Sequence, residues 1–264
     1  MIPGVSTACL YPLETEQSLA ALAGAGIRTA EVFLNAPCEM QRGFVKELRL
    51  MADAYGVHIP AVHPFSSNEE TTMFFTDYPR RFEDGLEQYG RYCEVVSQLG
   101  GDILVFHGMN KFLTMNMEEY AQRFARIAQM AARQGVRLCH ENVERSASHS
   151  SDFFRKMRRH LPEAKFVLDI KQALRASCDP FEMLEAMGKQ VAHIHVSDNA
   201  PENDCLPIGE GTFDFKRFKG KLIELNYHGC LMLELYGKGH SGVSQLAQSY
   251  RRLGALCREE QPWM

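Results

Sequence analysis

RLCHENVERSASHSSDFFRKMRRHLPEAKFVLD, residues 137–169, reads as a strand, a helix and a second strand. The short apolar run Arg137–Glu141 ends in a carboxylate, and residues 166–169 repeat that form and end in Asp169. Between them, residues 152–161 set Phe153, Phe154 and Met157 against basic residues at helical spacing. Ser151 stands before this stretch, and a serine hydroxyl there can accept a free backbone N–H of the first turn. A strand–helix–strand unit of this kind implies parallel strands covered by the helix.

The alternation continues in both directions. Further strands are expected at 5–9, 29–33, 59–63, 103–107, 192–195 and 230–235. Helices are expected at 14–25, 44–55, 79–99, 117–134, 180–187, 215–225 and 244–258. Asn116 and the Asp179-Pro180 pair mark helix starts. Gly26, Gly56, Gly100 and Gly135 mark helix ends. Eight such units, one about every 30 residues, predict closure into a single (β/α)₈ barrel spanning 1–264. An open doubly wound sheet would want a glycine-rich phosphate loop after its first strand. Cys9-Leu10-Tyr11-Pro12 stands there instead.

The length of 264 residues suits one barrel domain. Apolar residues make up 45% and charged residues 23%, ordinary for a globular chain, and the net charge is −4. That balance lacks the basic footprint of a nucleic-acid binder. Eight cysteines occur without a C-x-x-C pair, so reduced thiols are expected rather than a disulfide framework. The opening Met1-Ile2-Pro3-Gly4 is unlike a secretory signal, and no run is long enough for a membrane span. The chain therefore reads as cytoplasmic, with no membrane partner; association with a second copy stays open.

Ionisable residues recur where the strands end: Glu31, His63, His107, Glu141, Asp169, His195 and Glu234. In a barrel enzyme those ends carry the chemistry. A buried, unpaired carboxylate is costly, so one shared phase in seven strands calls for a common cause. Glu141, Asp169 and Glu234 together would repel one another, and a divalent cation resolves the conflict. His195 adds a nitrogen donor, which favours one manganese or zinc ion, with cobalt, iron or magnesium as alternatives. His193 shares the face of His195 but lies deeper in the strand, and is expected to be an interior histidine.

The ordered set His140-Glu141-Asn142, Val167-Leu168-Asp169, His193-Ile194-His195-Val196-Ser197-Asp198, Ile208-Gly209-Glu210-Gly211 and Met232-Leu233-Glu234-Leu235 resembles the xylose isomerase-like barrel superfamily. Within it, the sugar phosphate isomerase/epimerase branch is the nearer match, related to the endonuclease IV type of abasic-site nuclease. The resemblance covers essentially the whole chain. It implies that Glu141, Asp169, His195 and Glu234 are the shared metal ligands. The nuclease branch builds a third zinc site from residues that here are Gln172, Asn203 and Cys205. Loss of a carboxylate and two imidazoles disfavours that zinc and its phosphodiester chemistry. Ketose 3-epimerases carry a His and an Arg where this chain has Gln172 and Pro201, which leaves the natural sugar open.

The expected activity is a metal-dependent isomerase or epimerase acting on a small carbohydrate: a sugar, sugar phosphate or inosose. A proton leaves and returns next to a carbonyl through a metal-stabilised enediolate. Glu141 and Glu234 serve as base and acid, while Asp169 and His195 hold the ion. His63, His107, Lys171 and Gln172 are the expected substrate contacts. Lys171 either polarises a substrate oxygen or neutralises the carboxylates. Asp198 either supports a ligand or caps the loop after strand seven, and Asn203 is available to a hydroxylated ligand. Glu31 is read as reaching substrate or pairing with a lysine. Lys238, in Gly237-Lys238-Gly239-His240, is read as a solvated turn, with phosphate binding as the alternative. The rival activity is a metal-dependent hydrolase, an abasic-site endonuclease-like phosphodiesterase, with a dinuclear centre at His63, His107 and Glu141.

Overall fold

The computed structural model describes residues 1–236 and 239–258. Eight parallel strands close into a barrel. In chain order they are β1 Ile2–Ser6, β2 Ala30–Phe33, β3 Ala61–His63, β4 Ile103–Phe106, β5 Arg137–Glu141, β6 Lys165–Asp169, β7 Val191–Val196 and β8 Cys230–Leu233. Each strand pairs with its sequence neighbours, and β8 closes the ring against β1 with Ile2 opposite Cys230 and Val5 opposite Leu233. The principal helices lie at Thr15–Gly24, Arg42–Tyr55, Pro79–Gln98, Met117–Ala132, Ser151–His160, Pro180–Met187, Phe215–Glu224 and Val243–Arg258. Among the described residues no helix is long and apolar enough to cross a membrane.

Period-two alternation divides each strand between two environments. Outward side chains such as Phe106, Leu138, Phe166, Leu168 and Ile194 join the helices in one large apolar core. Inward side chains Ile103, Val105, Cys139 and Val167 belong to a separate small cluster inside the barrel. The next inward position on β3, β5 and β6 is ionisable: His63 above Ala61, Glu141 above Cys139, and Asp169 above Val167. An apolar plug thus lies below a polar rim, and packed side chains fill the interior.

Several boundaries differ from expectation. The first strand ends at Ser6, and Thr7–Leu10 forms a 3₁₀ turn in which Ser6 Oγ accepts from Ala8 N at 3.3 Å. The helix expected to be capped by Ser151 is capped by Ser150, whose Oγ faces Phe153 N at 3.4 Å. Asn116 and Asp179 cap as expected, accepting from Glu119 N at 2.8 Å and Phe181 N at 2.9 Å. Beyond the alternation, the structure adds short helices at Glu70–Phe74 and Ile170–Arg175 and a hairpin of Asp198–Ala200 with Asn203–Leu206. Gly237 and Lys238, the core of the expected glycine-rich turn, lie outside the described residues.

Candidate metal centre at the barrel mouth

The motif His140-Glu141-Asn142 shows how alternation builds the site. His140 points outward among Phe106, Phe124 and Phe153 and shares a 2.7 Å hydrogen bond between its Nε2 and the Tyr120 hydroxyl. Burial lowers its pKa to about 3, so this imidazole is a neutral core group. Glu141 points inward. Asn142 bridges to the end of β6: its Nδ2 donates to Asp169 O at 2.8 Å, and its Oδ1 accepts from Asp169 N at 2.7 Å. Two neighbouring carboxylates are thereby held in register before any ligand arrives.

Glu141, Asp169, His195 and Glu234 converge, each at most 5% exposed, with one donor atom apiece lying within 4.8 Å of the others. His195 Nδ1 faces all three carboxylates: Glu141 Oε1 at 2.9 Å, Asp169 Oδ2 at 3.6 Å and Glu234 Oε2 at 3.7 Å. Its Nε2 lies 3.1 Å from Glu31 Oε2, which also meets His193 Nε2 at 3.0 Å. The other Glu31 oxygen accepts from Ser6 Oγ at 3.3 Å. Glu31 therefore meets neither a lysine nor the pocket. It is a fully buried carboxylate beneath the rim, and its partners are Ser6 and the two inward histidines of β7. No local sequence signal pairs residues 31 and 195; closure of the barrel does. His193 is interior, as expected, although its Nδ1 has no hydrogen-bond partner among the described residues.

Electrostatics bind the cluster together. Burial opposes a charged His195, yet Glu31, Glu234 and Glu141 outweigh it and hold its pKa well above the ordinary imidazole value. Burial would likewise raise Glu141, but His195 and the hydrogen bond from His107 bring it well below the carboxylate range. Glu31 is lowered by the same balance, against burial, through His195 and His193. At Asp169 the desolvation wins over Lys171, and its pKa lies above the ordinary value. Glu234 is lowered, because Lys171 and His195 together exceed its burial penalty.

This donor set fits a divalent cation. Three carboxylate oxygens and one imidazole nitrogen gather within 4.8 Å of one another, with Glu31 behind the imidazole as the partner that metal-bound histidines ordinarily have. Bonds of about 2.1 Å place opposite ligands of an octahedral ion about 4.2 Å apart, and four donor atoms within 4.8 Å of one another are on that scale.

A second group of donors adjoins the first. His107 Nε2 lies 2.8 Å from Glu141 Oε2 and 2.9 Å from His63 Nε2, and His63 Nε2 is 3.7 Å from the same carboxylate oxygen. Glu141 thus faces His195 with one oxygen and His107 with the other. His107 is held by Glu70, a buried carboxylate that no sequence pattern marked. Glu70 Oε2 accepts from His107 N at 2.8 Å and from Gly108 N, while its Oε1 accepts from Tyr89.

Above these groups lies a cavity of about 380 Å³. Tyr11, Phe33, Phe65 and Tyr236 line it with ring surfaces; His63, His107, Glu141, Arg145, Gln172 and Glu234 line it with polar groups. Three of the four expected substrate contacts, His63, His107 and Gln172, therefore reach the cavity. Gln172 uses its amide oxygen to accept from Glu144 N at 3.1 Å. Lys171 is not among the lining residues. Its ammonium donates to Asp169 and Glu234, so it neutralises the carboxylates. Asp198 caps its own loop: Oδ2 accepts from Gly209 N at 2.9 Å and Gly211 N at 3.0 Å, and Oδ1 from Phe213 N at 3.0 Å. A β-carbon on Gly211 would overlap Asn199 O and Asp198 Oδ1, which explains the glycine. Asn203 is exposed in the hairpin, its amide oxygen accepting from Cys205 N at 3.0 Å, away from the cavity.

Comparison with known proteins agrees with this architecture. Among curated proteins, an inosose dehydratase of Clostridium botulinum (strain Alaska E43 / Type E3) is 22% identical over 249 residues, covering 83% of this chain and 81% of that relative. Among solved structures, a D-tagatose 3-epimerase-like protein superimposes with a TM-score of 0.79 at 20% identity, covering 97% of both chains. The 3-keto-D-glucoside 4-epimerase of E. coli gives 0.76 at 16% identity, covering 97% of this chain and 99% of that one. At such identities the structural likeness establishes the fold. The family model described as xylose isomerase-like TIM barrel matches residues 19–256. The chain belongs to the xylose isomerase-like TIM barrel family.

Proposed function

We propose that this chain is a metal-dependent sugar isomerase or epimerase that moves a proton on a carbon next to a carbonyl. The observation that carries this reading is the position of Glu141 and Glu234. Both belong to the four-residue donor set and both line the cavity. A divalent ion in that set supplies Lewis-acid charge for substrate oxygens. One carboxylate takes the proton from carbon and the other returns it, and microscopic reversal exchanges their roles. Asp169 has no lining position and serves the ion, with His195 beside it. Tyr11, Phe33, Phe65 and Tyr236 offer flat apolar surface to the C–H faces of a carbohydrate, while His63, His107 and Gln172 offer polar atoms to its hydroxyls. His107, whose pKa burial lowers, is a neutral hydrogen-bonding group near pH 7.

The names of the relatives share one chemical step. Epimerisation and the dehydration of an inosose both begin with proton loss next to a carbonyl. They part afterwards, when either the proton returns or a hydroxyl leaves. Dehydration of a cyclic polyol ketone is therefore the second reading, favoured by the curated relative. The third is a dinuclear hydrolase, supported by the adjoining His63–His107–Glu141 group. Manganese or zinc suits the mixed oxygen and nitrogen donors.

Deuterium incorporation tests the reading. The protein with Mn²⁺ or Zn²⁺ is incubated in heavy water with ketoses, ketose phosphates and inososes, and the products are followed by NMR. Exchange at a carbon next to the carbonyl is expected; exchange followed by loss of water selects the dehydratase. Absence of exchange with every compound, together with cleavage of an abasic-site duplex, would establish the hydrolase instead.

A further inference from the structure

Lys171 brings a cation of its own to the site. It lies in the first turn of the helix Ile170–Arg175, whose N-terminus is capped by Asp169 accepting from Gln172 N at 2.8 Å. The turn carries the side chain back across the end of β6, where the ammonium donates to Asp169 Oδ2 and Glu234 Oε2. It is 1% exposed, and Tyr236 presents its ring face 5.1 Å from Nζ. The two oxygens that hold the ammonium are the same two that face His195 Nδ1, at 3.6 and 3.7 Å. The lysine thus holds oxygens of two residues in the proposed metal ligand set.

We propose that Lys171 is an internal counter-ion that opposes the metal, so that metal binding moves the ammonium off Asp169 Oδ2 and Glu234 Oε2 toward Tyr236 and the cavity. The proposal rests on the reading of Glu141, Asp169, His195 and Glu234 as ligands, and adds a residue that sets how tightly they bind. Without Lys171, the three carboxylates present a formal −3 to an incoming ion; with it they present −2. A divalent ion near the shared oxygens also meets the ammonium at short range, and two like charges there repel. Metal occupancy and lysine position become a single exchange. In the metal-free protein the ammonium keeps the carboxylates from repelling one another. In the loaded protein it is released beside Tyr236, on the wall of the substrate cavity.

A scaffolding role would give the opposite sign. If Lys171 only held Asp169 and Glu234 in place for the ion, removing it would weaken metal binding. The test uses the full chain stripped by a chelator, with free Mn²⁺ followed by electron paramagnetic resonance. Lys171→Met and Lys171→Gln are each expected to bind Mn²⁺ roughly tenfold or more tightly than the natural protein. Equal or weaker binding in both overturns the proposal while leaving the ligand set intact. No Mn²⁺ binding by any of the three proteins removes the ligand set, and this proposal with it. Should the neutral variants not fold, lysine-labelled natural protein keeps the question open to measurement. Its Lys171 ¹⁵Nζ resonance, assigned by its absence from Lys171→Arg, is expected to move when Zn²⁺ is added; an unmoved resonance refutes the exchange.

Discussion

His195 has two ring nitrogens in opposite surroundings. One meets a fully buried carboxylate that also engages His193; the other faces three carboxylates across the barrel mouth. With a divalent ion at Nδ1 the ring would be neutral and its Nε2–H would be directed to Glu31, which would fix that tautomer. Glu31→Gln is therefore expected to weaken Mn²⁺ binding by about 10- to 100-fold without unfolding the barrel. Unchanged affinity, read from free Mn²⁺ at equilibrium, would show that Glu31 does not act through His195. The ring of ionisable residues was legible in sequence because strand alternation fixes their phase. The partner of Glu31 was not: nothing local links residue 31 to residues 193 and 195. Lys171 was legible as a cation near Asp169. Only the closed barrel shows that its other partner is Glu234.

At the scale of elements, the site depends on how neighbouring strand ends are tied. Asn142 satisfies both the backbone N–H and the backbone C=O of Asp169, so β5 and β6 deliver their carboxylates at a fixed separation. Asn142→Ala removes both hydrogen bonds and should cost about 1–3 kcal/mol, since a hydrogen bond of this kind contributes about 0.5–1.5 kcal/mol. Thermal or denaturant unfolding measures the loss, and a change below about 0.5 kcal/mol, typical of surface substitutions, would mean that the tie contributes little. Element types and order followed from hydrophobic period and helix-end signals. Local competition displaced some ends. Ser6 turns the first strand into a 3₁₀ segment, and Ser150 caps a helix for which Ser151 was the candidate. The helix of Glu70 and the Asp198 hairpin fall between the large periodic stretches. Their role is to hold β4 and the turn after β7 through polar contacts that leave no periodic trace.

For the whole molecule, the buried charges make stability depend on pH. His195 has a folded pKa above its ordinary 6.5, so its contribution is complete below 6.5 and is lost as pH rises through the folded value. Asp169 and Glu70, held above their ordinary values by burial, act in the same direction, because their folded forms retain protons that the unfolded chain releases. Glu31 and Glu141 act in the opposite window: their contribution is present above 4.5 and is lost as pH falls below it. The chelated protein should therefore melt at a lower temperature at about pH 8 than at pH 6.5, and saturating Mn²⁺ should reduce that difference by replacing protons in the cluster. A melting temperature in chelator that is flat or rising over this interval would contradict the charge balance described here.

A single divalent ion held by Glu141, Asp169, His195 Nδ1 and Glu234 is the proposed centre of the molecule's chemistry. Anomalous diffraction from crystals of the full chain equilibrated with Mn²⁺ tests it most directly. One strong peak bonded to those four residues is expected, with Lys171 turned away from Asp169 and Glu234. A principal peak between His63 and His107, or no peak within bonding distance of His195 Nδ1, would contradict it.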